Sequence, residues 1–138
     1  MIISIDINIY YSIKPFLQYV LESKLINNNL FMSFYENTLV AKQDLPKPEL
    51  DKIKEKYADL INKNSGKVVK IEEWGLLNLA RKIKRYNKGF YIHYKFEGNK
   101  QTVDEINKKI KIDGSIIRYL VVKYKNLDIK NEYFKKEK

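Results

Sequence analysis

Arg81, Lys82, Lys84, Arg85 and Lys88 place five cations within eight consecutive positions. Guanidinium and ammonium groups at that density neutralise phosphates and release the counterions condensed on a polyanion. Asn87 and Gly89 add the residue types that a tight chain reversal favours. Just beyond them Tyr91, His93 and Lys95 fall on one face of a period-two pattern, with Phe90, Ile92, Tyr94 and Phe96 on the other. The apolar set is the natural core face, and the aromatic and cationic set has the composition of a surface that meets RNA or another protein. Arg118 and Lys123 stand as further cations inside the hydrophobic run IIRYLVVKY.

Other chemistries are poorly supplied. The 138 residues contain no cysteine, which removes disulfides, thiol nucleophiles and thiolate metal sites together. His93 is the only histidine; it argues against a histidine-based metal site or a triad and reads as an ordinary strand residue. No paired carboxylates stand beside a basic site, and neither a glycine-rich phosphate loop nor a nucleophile–base pair is evident. What remains is charge, 27 Lys and Arg against 17 Asp and Glu, a formal +10. So basic a chain attracts polyanions, with nucleic acid the first reading and a membrane surface the weaker one. No uncharged apolar run nears the roughly 20 residues that span a bilayer, so a soluble protein is expected.

These side chains need a scaffold, and the pattern supplies one from Met32 onward. Phe34–Lys42, rich in aromatic and β-branched residues, reads as a strand closed by the turn signals Gln43-Asp44-Leu45-Pro46. A helix follows, with Pro46 and Pro48 at its entrance and Leu50, Ile53, Tyr57, Leu60 and Ile61 down one face. Asn64-Ser65-Gly66 supplies a left-handed stop. Lys67–Ile83 and Gly89–Phe96 then form the arms of a long hairpin with the charged tip between them. On the first arm Glu72-Glu73 are expected in solvent, Trp74-Gly75 interrupts the alternation as a bulge would, and Trp74 reads as a packing anchor before a base-stacking group. Thr102 with Glu105 spells a capping box for a second helix, with Val103, Ile106 and Ile110 as its apolar stripe and Asp113-Gly114 as its end. Ile116–Tyr124 is the last strand.

The order strand, helix, strand, strand, helix, strand predicts an α+β fold of the ferredoxin-like split β-α-β type (βαββαβ), a four-stranded antiparallel sheet with both helices on one face. The other face is left open to solvent or a partner. Residues 32–125 make this domain. Residues 1–31 read as an N-terminal extension: Ile3, Ile5, Ile7 and Ile9 alternate like a strand, Phe16, Leu17, Val20 and Leu21 follow a helical spacing, and Asn27-Asn28-Asn29 ends it. Its charges cancel and it fits neither a secretory signal nor a mitochondrial presequence; an appendage is expected, with an added strand or partner-binding segment as the alternative. Residues 126–138 read as a basic tail with little period, extended or disordered in isolation.

FYENTLVAKQDL, GKVVKIEEWGLLNLA, KGFYIHYKFE and IIRYLVVK, in this order and spacing, resemble the bacterial small-subunit ribosomal protein S-six family. The resemblance covers about Met32 to Lys125 and spans four separate elements. It implies a protein of the 30S ribosomal subunit, bound to the central domain of the 16S ribosomal RNA as a heterodimer with small-subunit ribosomal protein eighteen. It also implies a ribosome of the cytoplasm or of an organelle, no catalysis and no cofactor. Matched by position, Arg118 and Lys123 are expected on RNA phosphates, with the tip cations Arg81, Lys82, Lys84, Arg85 and Lys88 matching more loosely. Tyr91 and His93 are expected at the partner protein. The chain departs from the family after its LA pair, where Arg81-Lys82 replaces Tyr followed by Pro or a basic residue. The other readings of this element order are a stand-alone single-strand RNA-binding module, whose aromatic motifs are missing in their usual form, and a small enzyme, for which no site is evident.

Overall fold

In the computed structural model the element order is β1 (Ser33–Lys42), α1 (Lys47–Lys63), β2 (Lys67–Ile83), β3 (Tyr86–Gly98), α2 (Lys100–Ile112) and β4 (Ile116–Tyr124). The structure describes residues 32–133 together with residues 14, 15 and 18. Contacts divide the chain into two units, Met1–Met32 and Ser33–Lys138. Of the first unit Lys14, Pro15 and Gln18 are helical and exposed; the strand expected around Ile3 to Ile9, most of the helix after it and the Asn27-Asn28-Asn29 stop lie outside the described residues.

The second unit is a four-stranded antiparallel sheet in the order β2-β3-β1-β4. Consecutive strand residues point to opposite faces, so each strand contributes one set of side chains to the helices. Leu39, Ala41, Ile92, Tyr94 and Phe96 from the sheet bury against Leu50, Ile53, Tyr57 and Ile61 of α1 and Ile106 and Ile110 of α2. Each large aliphatic or aromatic side chain so buried contributes about 1.5–3 kcal/mol of transfer free energy. Tyr35 stacks on Phe96 with ring centroids 5.5 Å apart. The α1 stripe recurs every three to four residues, and the face predicted from that spacing is the one that is buried.

Helix ends follow local chemistry. Pro46 is the N-cap of α1 and Pro48 sits in its first turn, where a missing N–H leaves no hydrogen bond unmade. At its end Ser65 takes the left-handed conformation, φ 61°, and the Gly66 N–H donates to Ile61 O at 3.0 Å. The capping box of α2 differs from the expected one. Asn99, not Thr102, is the N-cap: its side chain accepts from the Thr102 N–H at 3.1 Å, and Thr102 Oγ1 accepts from the Asn99 N–H at 3.2 Å. Thr102 is fully buried and donates to Asn64 O at 2.6 Å, tying the start of α2 to the end of α1. Glu105 instead pairs with Lys108 at 3.0 Å.

The hairpin is longer than its apolar pattern suggested, because β3 begins at Tyr86 and pairs with Ile83. Lys84 and Arg85 therefore make the reversal, not Asn87 and Gly89. Lys84 has φ 56°, the region that primed hairpin turns require at their first central residue. Gly89 serves another purpose: a Cβ there would lie 2.3 Å from Val40 Cγ1, so the glycine lets β3 approach β1. Trp74-Gly75 is a bulge, with the β2–β3 register shifting between Glu73 and Gly75 and φ 83° at Gly75.

Candidate nucleic-acid interface

Cations at the hairpin tip, the end of α2 and the start of β4 meet around one cleft. Lys84, Lys111 and Arg118 line an open space of about 300 Å³ whose floor includes Ile110, Asp113, Gly114 and Ile116. The long β2–β3 hairpin brings the tip there, since Gly89 already lies beside Ile117 of β4. Arg81, Lys82, Arg85 and Lys88 are exposed on the rest of the tip. Arg85 lies over the Tyr86 ring at 5.5 Å, which restrains its guanidinium. Ammonium and guanidinium groups from three elements around an open cleft suit the phosphates of a folded polyanion, where Arg can engage two oxygens and Lys acts as a point charge.

The one carboxylate in this cleft is already engaged. Asp113 Oδ2 accepts from Lys56 Nζ and from the Tyr57 hydroxyl, each at 2.8 Å, and Oδ1 accepts from the Ser115 N–H at 3.0 Å. Burial pushes the Asp113 carboxyl up, but Lys56, the Ser115 amide and Tyr57 together hold it below its ordinary range. Burial, and then the same contact with Asp113, push the Tyr57 phenol far up, so it remains a donor.

The remaining expected site residues divide. Arg118 pairs with Val40 and Lys123 with Tyr35. Val40 lies on the open face and Tyr35 packs toward the helices, so Arg118 and Lys123 point to opposite sides of β4. Tyr91 and His93 share the open face as read from the alternation. Tyr91 is half-buried, 6.0 Å from the Trp74 ring. His93 is only 3% exposed: Trp74 stacks on it at 4.8 Å and Tyr133 meets it edge-on at 5.3 Å. Its Nδ1 lies 2.7 Å from Thr38 Oγ1, and its Nε2 lies 3.5 Å from Glu36 Oε2, too long for a good hydrogen bond.

That burial exposes two misreadings. Glu72, expected in solvent, is buried under the tail, and only Glu73 keeps contact with water while it pairs with Lys47 and Lys54. The tail, expected to be extended or disordered in isolation, has no regular secondary structure over residues 125–133 but packs on the open face through residues 128–133. Lys95, fully buried, donates to the carbonyls of Asp128 and Asn131 and sits 3.0 Å from Glu72 Oε1. Burial pushes the Glu72 carboxyl up, yet the Trp74 indole N–H, Lys95 and the Tyr133 amide together hold it below the ordinary carboxylate value. Residues missed by sequence reading are Lys111 at the cleft and Glu36 and Glu72 on the open face, whereas Lys95 was placed on that face by the alternation. The lysine run at the end of α2 was a usable signal for Lys111, but nothing local marked Glu36 or Glu72.

Among the described residues no cluster of His, Asp and Glu could hold a metal ion, and no helix is long and apolar enough to cross a membrane. Comparison with known proteins points in one direction. The family model described as Ribosomal protein S6 matches residues 34–123. Small ribosomal subunit protein bS6 of Pelagibacter ubique is 42% identical over 106 residues, covering 77% of this chain and 88% of that protein. Its counterpart in Rickettsia canadensis is 38% identical over 92 residues, covering 67% of this chain and 76% of the relative. The crystal structure of 30S ribosomal protein S6 from Thermotoga maritima superposes with a TM-score of 0.65 at 24% identity, covering 67% of this chain and 88% of that one, and attests the shared ferredoxin-like fold. With the matched stretch running from the first strand through the last, the chain belongs to the ribosomal protein S6 family of the small ribosomal subunit.

Proposed function

We propose that this chain is a structural constituent of the small ribosomal subunit that binds the central domain of the 16S ribosomal RNA together with small-subunit ribosomal protein eighteen, without catalysing a reaction. The observation that carries the reading is the convergence of Lys84, Lys111 and Arg118 on one cleft beside the exposed tip cations. Phosphate contacts there would orient the domain on folded RNA, while RNA shape and the partner supply selectivity. Tyr91, half-buried on the open face, is the residue assigned to protein eighteen. His93 would reach a partner only after residues 128–133 move. The single-strand RNA module is the weaker reading, because its base-stacking platform would be this same open face, which carries the buried carboxylates Glu36 and Glu72.

Cosedimentation with small subunits assembled without the endogenous protein tests the proposal. Retention on the particles, strengthened by protein eighteen and weakened by Tyr91→Asp, is the expected result. Recovery in the supernatant, with equal binding to unstructured RNA, would overturn it.

A further inference from the structure

The segment on the open face is held through its main chain, the way a peptide ligand is held. Lys95 reads two main-chain carbonyls, those of Asp128 and Asn131. Glu72 Oε2 accepts the Tyr133 main-chain N–H at 3.4 Å, and the Tyr133 hydroxyl donates to Glu36 Oε2 at 3.2 Å. The Tyr133 ring stands edge-on to Trp74 at 5.9 Å. Between these anchors Asp128 folds the segment on itself, its Oδ1 accepting the N–H groups of Lys130 and Asn131 at 3.2 and 3.1 Å.

The receptor side is costly to build for packing alone. Lys95 and Glu72 are both buried, and an ion pair withdrawn from water is stabilising only where further hydrogen bonds satisfy it. Here Glu72 has the Trp74 indole N–H at 3.0 Å, and the other bonds come from residues 128–133, so lifting the segment would return much of the cluster to water. Main-chain recognition plus one aromatic anchor is also tolerant of sequence, since carbonyls and amides are common to every polypeptide. Tyr133 as a residue remains 55% exposed while its main-chain N–H and its hydroxyl are engaged.

We propose that the open face is a binding site for a turn-forming polypeptide segment carrying an aromatic residue, and that residues 128–133 occupy it in cis, so that a partner segment enters only by displacing them. The inference rests on the packing of this face, and its test requires neither RNA nor a ribosomal partner. A latch closed most of the time lowers the apparent affinity for any competing segment by the fraction open.

The test uses the full chain and a fluorescein-labelled peptide of residues 126–133, followed by anisotropy. Tyr133→Ala, which removes the aromatic anchor, is expected to bind this peptide about tenfold more tightly than the unaltered chain. Emission from Trp74, the only tryptophan, should change in Tyr133→Ala and return when the peptide binds. Adding Lys95→Met to Tyr133→Ala should abolish binding with the far-ultraviolet circular dichroism retained. Equal affinity of the unaltered chain and Tyr133→Ala would overturn the proposal. So would a mass that rises to that of a dimer with concentration in the unaltered chain, since the segment would then be exchanged between copies.

Discussion

The Trp74 indole lies over the His93 imidazole with ring centroids 4.8 Å apart and planes 19° from parallel. Burial is the largest influence on this histidine and lowers its pKa; Glu36 and Glu72 pull it upward and Lys95 pushes it further down. The folded protein therefore holds His93 neutral at pH values where an exposed histidine, with a pKa of about 6.5, takes up a proton.

The sign of the pH dependence follows. Below about pH 6.5 the unfolded chain binds one more proton at this position than the folded chain, so stability falls as pH falls toward the folded value. Urea denaturation between about pH 7.5 and 5.5 should show a slope of up to about 1.4 kcal/mol per pH unit. His93→Gln should flatten it, because the chain has no other histidine. An unaltered chain with constant stability across that window would contradict a neutral buried His93. A separate loss is expected below about pH 4.5, where the depressed carboxyls of Glu72, Glu73 and Asp113 must be protonated.

For the basic cleft, Lys111→Gln and Arg118→Gln should each remove one phosphate contact. Each is expected to lower the slope of log affinity against log salt by about 0.7–0.9 on central-domain RNA. Lys123→Gln, on the other side of β4, should leave that slope unchanged if the cleft is the interface. Filter binding across a salt series decides it, and equal losses for Arg118 and Lys123 would move the interface to the sheet edge.

Lys84→Gly separates stability from binding. The left-handed backbone at Lys84, φ 56°, costs a side-chain-bearing residue about 1 kcal/mol that glycine recovers in part. Urea unfolding should therefore show a more stable protein, while RNA binding at low salt weakens.

Gly89→Ala should destabilise by about 1–3 kcal/mol, because the new methyl would meet Val40 Cγ1. In a Val40→Ala background much of that loss should vanish, giving a double-mutant coupling of about 1 kcal/mol or more in chemical denaturation. Additive losses would mean that the glycine is required for some other reason.

Asn37 is fully buried, and neither polar atom of its side chain has a hydrogen-bond partner among the described residues. Asn37→Val removes the stranded amide and adds a β-branched side chain to a central strand. A gain of about 1 kcal/mol is expected by urea unfolding; a loss would point to a partner such as a bound water.

Periodicity alone determined the six elements, their order and the core face. A strand buries every second residue and a helix every third or fourth, so Ile92, Tyr94 and Phe96 on the sheet and Ile53, Tyr57 and Ile106 on the helices were marked by spacing. The odd spacing of Arg118 and Lys123 already places them on opposite faces of β4. One element end was misplaced: Asn99, three residues before Thr102, caps α2 in place of Thr102. Only the tertiary structure decided the rest. Lys84, Lys111 and Arg118 belong to different elements, and their meeting depends on how the hairpin and α2 converge on the sheet. Glu72 looked like a solvated charge, and the burial of Lys95 was not foreseen, because their cover comes from residues 128–133, far along the chain. That segment has no period of its own, since its order comes from hydrogen bonds to buried charges on the sheet rather than from a repeating apolar face.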